Sequence, residues 1–165
     1  MSANRPYQIL IVNGPNLGRL GVREPEIYGR LGLNALPGLI AEVLGETAAS
    51  RPAFKLDFFQ SNHEGTLIDR LEEAHDQGVS GVVINAGALT HTSLALADCL
   101  ASLACAGVAC IEVHITNVAA RPEKIRHQSF IAPQCLGVIS GFGLVGYGLG
   151  VRALLWHLQE KHNAS

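Results

Sequence analysis

The sequence predicts an α/β fold built on a parallel sheet, and three observations carry that prediction. Five short apolar runs punctuate the chain, at residues 8–13, 54–60, 81–85, 109–114 and 136–141. They read as near-continuous hydrophobics, such as Ile9-Leu10-Ile11-Val12, the pattern of strands covered on both faces. Between them lie segments whose apolar residues recur at helical spacing. Alternation of this kind from end to end implies parallel strands joined by crossovers. Five strands suit the flavodoxin-like three-layer sandwich with strand order 2-1-3-4-5, whose site lies outside the carboxyl ends of the strands.

Each element has its own justification. The first strand is stopped by Asn13, Gly14 and Pro15. The connection that follows, residues 14–32, holds Arg19, Arg23, Glu24, Pro25, Glu26, Tyr28, Arg30 and five glycines. Loops between a strand and a helix usually run about 2–6 residues, so this one is expected to act as a lid over about residues 18–30. A helix over 33–50 carries Leu36, Leu39, Ile40, Val43 and Leu44 at core spacing. A second over 64–77 carries Leu67, Ile68, Leu71 and Ala74, with charges on its other side. A third over 93–105 is opened by Thr90-His91-Thr92-Ser93, one of whose hydroxyls is expected to cap it. The last covers 144–162. Without linker, repeat or low-complexity segment, residues 1–165 read as one domain.

Composition narrows the function classes. A chain of 165 residues is long enough to bury a sizeable core. A net charge of −2 argues against a protein held to nucleic acid or anionic lipid by bulk electrostatics. No apolar stretch reaches the roughly 18 residues of a membrane span. Residues 1–6 lead straight into the first strand without the features of a signal peptide, so a cytoplasmic domain is expected. Cys99, Cys105, Cys110 and Cys135 contain no Cys-x-x-Cys pair and sit in apolar segments, so they read as buried thiols rather than zinc ligands. Charged residues are only 16%, below the usual quarter, which leaves little polar material to cover a lone sphere.

The strand-end rule says where chemistry should lie. Asn13 to Asn16, Gln60 to Glu64, Asn85 to Gly87, and Glu112 to His114 gather amides and imidazoles on that edge. Familiar tenants of the fold are disfavoured there. Pro15 lacks the backbone donor that a flavin phosphate loop needs, and Asn13 and Asn85 stand where a phosphate-accepting receiver has acidic residues. The run Gly141-Phe142-Gly143-Leu144-Val145-Gly146 matches a dinucleotide fingerprint but falls at the last strand, so close packing is the better account. Glu112 and His114, two apart on a strand, share a face. A carboxylate there favours a charged imidazole or fixes its tautomer, which suits a general acid; a purely structural pair is the alternative. Tyr28 is either an exposed ring packed on a proline or a tyrosinate base, whose ionisation the Arg23 guanidinium would have to ease. Asp98, seven residues after His91, is expected on nearly the same helical face, and Arg126 places a cation in another strand-end connection. Donors on separate loops fit a small polyhydroxylated acid.

These residues resemble a known family. Asn13-Gly14-Pro15-Asn16-Leu17, then Leu20-Gly21-x-Arg23-x-Pro25-x-x-Tyr28-Gly29, is similar to the signature of the type II 3-dehydroquinate dehydratases. The similarity continues through Gln60 to Gly65, Asn85-x-Gly87-x-x-Thr90-His91-Thr92-Ser93, Glu112-Val113-His114 and Gly146-Tyr147. It implies dehydration of 3-dehydroquinate to 3-dehydroshikimate by anti elimination through an enolate, in the shikimate pathway. By position, the resemblance makes Tyr28 the base, with Arg23 lowering its pKa. Asn16 would hold a water at the enolate oxygen, and His114 would be the acid supported by Glu112. Asn85, His91, Asp98, Arg126 and the amides of Ile115 and Thr116 would bind substrate. The family implies no cofactor and no metal, and a homododecamer made as a tetramer of trimers. The three lysines, Lys55, Lys124 and Lys161, end no core strand, which agrees with enolate rather than imine chemistry. A non-catalytic module binding a small anion or a flavin is the alternative. Three positions depart from the family pattern: Ala86 for a proline, Leu89 for an aromatic residue, and Ala97 for an arginine.

Overall fold

The computed structural model describes residues 5–22, 26, 30–45 and 52–164. Its strands are β1 Tyr7–Asn13, β2 Phe54–Gln60, β3 Gly81–Asn85, β4 Ala109–His114 and β5 Gly137–Ser140. They form one sheet in the order β2-β1-β3-β4-β5, every neighbouring pair parallel, as the sequence predicts. Covering helices are α1 Leu36–Leu44, α2 Glu64–Asp76, α3 Leu94–Cys105 and α4 Val145–Asn163.

The apolar runs work because alternate strand residues point to opposite faces, and both faces are covered. Ile9, Ile11, Val83, Ile111 and Val113 pack under α1 and α4 with Ile40, Val151 and Leu154. Leu10, Val12, Val82, Ile84 and Cys110 pack on the other side with Leu67, Leu71 and Leu100 of α2 and α3. Two cores flank one sheet, which gives the three layers.

Boundaries differ where local chemistry intervenes. β5 is shorter than 136–141, and β1 begins one residue earlier than residue 8. The segment 33–50 opens as a 3-10 turn, Leu33–Ala35, before α1, whose first turn takes Pro37 where a missing N–H costs nothing. The helix stops at Gly45, and residues 46–50 lie outside the described residues. Ser93 caps α3, its Oγ accepting from the Leu96 N–H at 2.8 Å. The thiols differ as well from the sequence expectation. Cys99 and Cys110 are buried and Cys135 half-buried, but Cys105, at the last position of α3, is exposed. Burial pushes the Cys99 thiol up to about 11 and that of Cys110 to about 12. Gly146, in the run that mimics a dinucleotide fingerprint, lies against Val113 and Ile139, so α4 sits close on the sheet.

One close approach fixes the first strand end. The Gly14 N–H donates to the Asn85 carbonyl at 2.8 Å, and a Cβ on Gly14 would lie 2.4 Å from the Ala86 carbonyl oxygen. Backbone cannot yield as a flexible side chain does. Gly14→Ala is therefore expected to cost about 1–3 kcal/mol of stability. The melting temperature, read by calorimetry, should fall by several degrees, and an unchanged value would contradict this packing.

Candidate active site

The strand order creates the site. Leaving β1, the chain moves to one edge of the sheet, then returns to β3 on the other side of β1, so the loops after β1 and β3 diverge. In that crevice lies a cavity of about 200 Å³. Asn16 enters from the loop after β1, Asn85 and His91 from β3 and the turn after it, and His114, Ile115, Thr116 and Arg126 from β4 and its connection. Asn13 and Asn85 are register partners, so the two amides end adjacent strands side by side.

Asn16 holds a left-handed conformation, φ 68°, which Asn tolerates better than most residues. Its N–H donates to Asn62 Oδ1 at 2.9 Å. Gln60 Nε2 donates to that same oxygen at 3.1 Å and to the Gly14 carbonyl at 3.2 Å. The Gln60-Ser61-Asn62 run after β2 thus clasps the first loop and aims Asn16.

The histidines are held from behind. His114 Nε2 and Glu112 Oε1 lie 2.5 Å apart, with the carboxylate wholly buried. The other Glu112 oxygen accepts from Ser129 Oγ at 2.9 Å, and that Oγ accepts the Ala132 N–H at 2.9 Å. A buried carboxylate is costly unless paired, and here both oxygens have partners. The contact fixes a proton on Nε2, leaving Nδ1 as the nitrogen His114 offers to the cavity. When that ring is protonated, Glu112 balances its charge. His91 Nδ1 donates to the Gln128 carbonyl at 2.6 Å. With Nδ1 so engaged, Nε2 is the ring nitrogen left for the cavity, an acceptor whenever the ring is neutral. The two rings stack with centroids 6.3 Å apart and planes inclined by 15°. Residues 128 and 129 consequently orient both histidines. Acceptor, acid and cation converge on one small cavity, an arrangement fit to bind and protonate a hydroxylated anion.

The chain matches the family described as dehydroquinase class II over residues 7–155, nearly its whole length. This chain belongs to the class II dehydroquinase family. The 3-dehydroquinate dehydratase of Chlorobaculum tepidum is 49% identical over 148 residues, covering 89% of this chain and 93% of that one. The 3-dehydroquinate dehydratase of Exiguobacterium sp. is 47% identical over 156 residues, 94% of this chain and 99% of that one. The crystal structure of type II dehydroquinase from Butyrivibrio crossotus superimposes with a TM-score of 0.80 at 43% identity, covering 90% of this chain and 97% of that one.

Of the site residues expected from sequence, the fold brings seven to the cavity wall, Asn16, Asn85, His91, His114, Ile115, Thr116 and Arg126, with Glu112 directly beneath. Ile115 and Thr116 follow β4 directly and line the cavity. Asp98 is not brought in. His91 closes a 3-10 turn, Gly87–His91, and Thr92 and Ser93 separate it from α3. The break invalidates the two-turn spacing, and Asp98 is exposed away from this cavity. Arg23 and Tyr28 lie outside the described residues. Leu89 packs against the α2–α3 core rather than forming a cavity wall, and Ala97 is buried there too.

Several residues at or behind the cavity escape the sequence patterns. Arg121 lines the cavity beside Arg126, its Nη2 donating to Thr116 Oγ1 at 3.4 Å. Spacing within the run 121–127 does not separate these two arginines. Ser129 and Gln128 sit in an irregular connection, where no periodicity signals that they reach back to Glu112 and His91. Asn62 was legible only as part of a polar strand end.

Proposed function

We propose that this chain is a 3-dehydroquinate dehydratase, removing water from 3-dehydroquinate to give 3-dehydroshikimate by anti elimination. The observation that carries the proposal is the buried Glu112–His114 pair opening onto the cavity that also holds Asn16 and Arg126, in a chain of this family. Curated relatives of nearly half identical sequence carry that name.

The chemistry follows in two steps. Tyr28, kept ionisable by Arg23, takes the C2 proton, and the electron pair passes to the carbonyl oxygen as an enolate. A water held by Asn16 stabilises that oxygen, as an oxyanion hole does. The enolate then collapses and breaks the C1–oxygen bond. The departing hydroxyl takes the proton of the His114 imidazolium and leaves as water. Glu112 compensates the imidazolium before this transfer and holds the neutral ring in its tautomer after it. The proton gained by Tyr28 returns through solvent, so the balance is loss of one water. Arg126 and the Ile115 and Thr116 amides take the carboxylate and hydroxyls, with Asn85 and the His91 acceptor. Residues 1–165 act as one catalytic domain whose segment of about 18–30 is the lid, and no metal or cofactor enters the scheme.

Incubation with 3-dehydroquinate should raise the ultraviolet absorbance of the conjugated enone. No turnover by folded protein would refute the assignment. Activity should survive borohydride in the presence of substrate, whereas irreversible loss would indicate an imine.

We also propose a homododecamer, a tetramer of trimers, in which Asp98 reaches a neighbouring subunit's site. The low charged fraction supports an assembly, as does the apolar face formed by Leu136, Val138 and Trp156, exposed by 53%, 47% and 65%. Light scattering that gave a monomer mass would overturn it. Among the described residues no helix is long and apolar enough to cross a membrane, which accords with a cytoplasmic enzyme.

A further inference from the structure

Behind the cavity lies a polar contact that the proposed chemistry does not use. Tyr147, near the start of α4, is wholly buried and extends its hydroxyl between the last residues of β1 and β3. The hydroxyl donates to Asn13 Oδ1 at 2.5 Å and accepts from Asn85 Nδ2 at 2.9 Å. Asn85 Oδ1 in turn accepts the Gly87 N–H at 3.2 Å. Asn13 and Asn85 are themselves 2% and 3% exposed.

The direction of this chain is determined by proton count. A phenol carries one hydrogen, and Asn13 Oδ1 can only accept. Once the hydrogen is committed there, the Tyr147 oxygen can only accept from its other neighbour. Asn85 must then turn its NH₂ group toward Tyr147 and its oxygen toward the Gly87 N–H. The reverse amide orientation would set an NH₂ against the Gly87 N–H and an oxygen against the phenol lone pairs. Buried polar groups without partners are destabilising, so one orientation dominates. One Nδ2 hydrogen is left, and Asn85 lines the cavity.

We propose that Tyr147 is a positioning residue, which with Asn13 fixes the Asn85 amide so that the cavity meets a hydrogen-bond donor there. This rests on the reading of Asn85 as a substrate-binding residue, and it specifies the ligand atom at Asn85 as an acceptor, a carboxylate or hydroxyl oxygen of the cyclic acid. Burial also pushes the Tyr147 phenol well above its ordinary value, so it keeps the hydrogen throughout the working range. Tyr147 thus differs in kind from the tyrosine proposed as base. It never exchanges its proton with substrate.

The test is a cycle of Tyr147→Phe, Asn85→Ala and the double variant, assayed on 3-dehydroquinate with melting temperatures alongside. Tyr147→Phe keeps the ring but removes the hydroxyl, so KM is expected to rise about tenfold with a much smaller change in kcat. On the Asn85→Ala background the same substitution should leave KM within about twofold, since the group it orients is gone. An unchanged KM in folded Tyr147→Phe, even with a lower melting temperature, overturns the proposal while leaving Asn85 as a binding residue. So does a tenfold rise that persists without Asn85. If Asn85→Ala itself leaves KM unchanged, the binding role of Asn85 fails and the proposal falls with it. Should Tyr147→Phe not fold, Asn13→Ala keeps the tyrosine in place and frees its hydrogen to turn toward Asn85. KM should then rise, again only when Asn85 is present, and an unchanged KM in that variant overturns the proposal.

Discussion

Replacing His114 with alanine is expected to lower kcat by about 10²–10⁴-fold, the usual contribution of a positioned acid. KM should move far less, because the task proposed for the ring lies in the departure of the hydroxyl rather than in holding the ground state. The size of the effect follows from how much structure serves this one ring. Glu112 gives up a wholly buried carboxylate to it, and Ser129 and the Ala132 amide occupy the far side of that carboxylate. No other cavity residue has a buried carboxylate behind it among the described contacts, so no neighbour is set up to replace it. Steady-state kinetics at saturating substrate is the measurement. A change confined to KM would make His114 a binding residue.

Tyr28→Phe is expected to remove nearly all turnover while substrate binding stays measurable by calorimetry. A phenyl ring has the shape of the base and none of its proton affinity. Free tyrosine ionises near pH 10, so the proposed base would have to draw on the Arg23 guanidinium to work near neutrality, at about 1.4 kcal/mol per unit of displacement. Arg23 and Tyr28 share the connection after β1 with Asn16, which is already clasped by Asn62. A variant close to wild type would require another base.

The fold was legible because its signals are periodic. Strands covered on both faces give unbroken apolar runs, and the successive residues Ile9 and Leu10 each need a cover on their own side. What periodicity could not mark was interruption. Gly45 ends α1 within an otherwise helical pattern, and the break at Thr92 detaches His91 from the helix bearing Asp98. The site was legible where its geometry is local. Glu112 and His114 share a face by strand alternation alone, and only Val113 separates them in the chain. Ser129, Gln128 and Tyr147 act over separations of 17, 37 and 62 residues. Such pairings arise from how loops return to the sheet, and no short-range pattern in the chain records them.

The clasp at the end of β1 has a consequence for chemical ageing. Asn followed by Gly is the dipeptide most prone to lose its side-chain amide, because an unhindered backbone nitrogen can attack the side-chain carbonyl and close a succinimide ring. Asn13-Gly14 is such a step. In the fold, the attacking nitrogen is committed to the Asn85 carbonyl at 2.8 Å, and the target carbonyl is held by Tyr147. Ring closure would have to break both contacts inside a buried strand end. The folded protein therefore keeps this amide for as long as it stays folded, and deamidation at Asn13 becomes a clock for time spent unfolded.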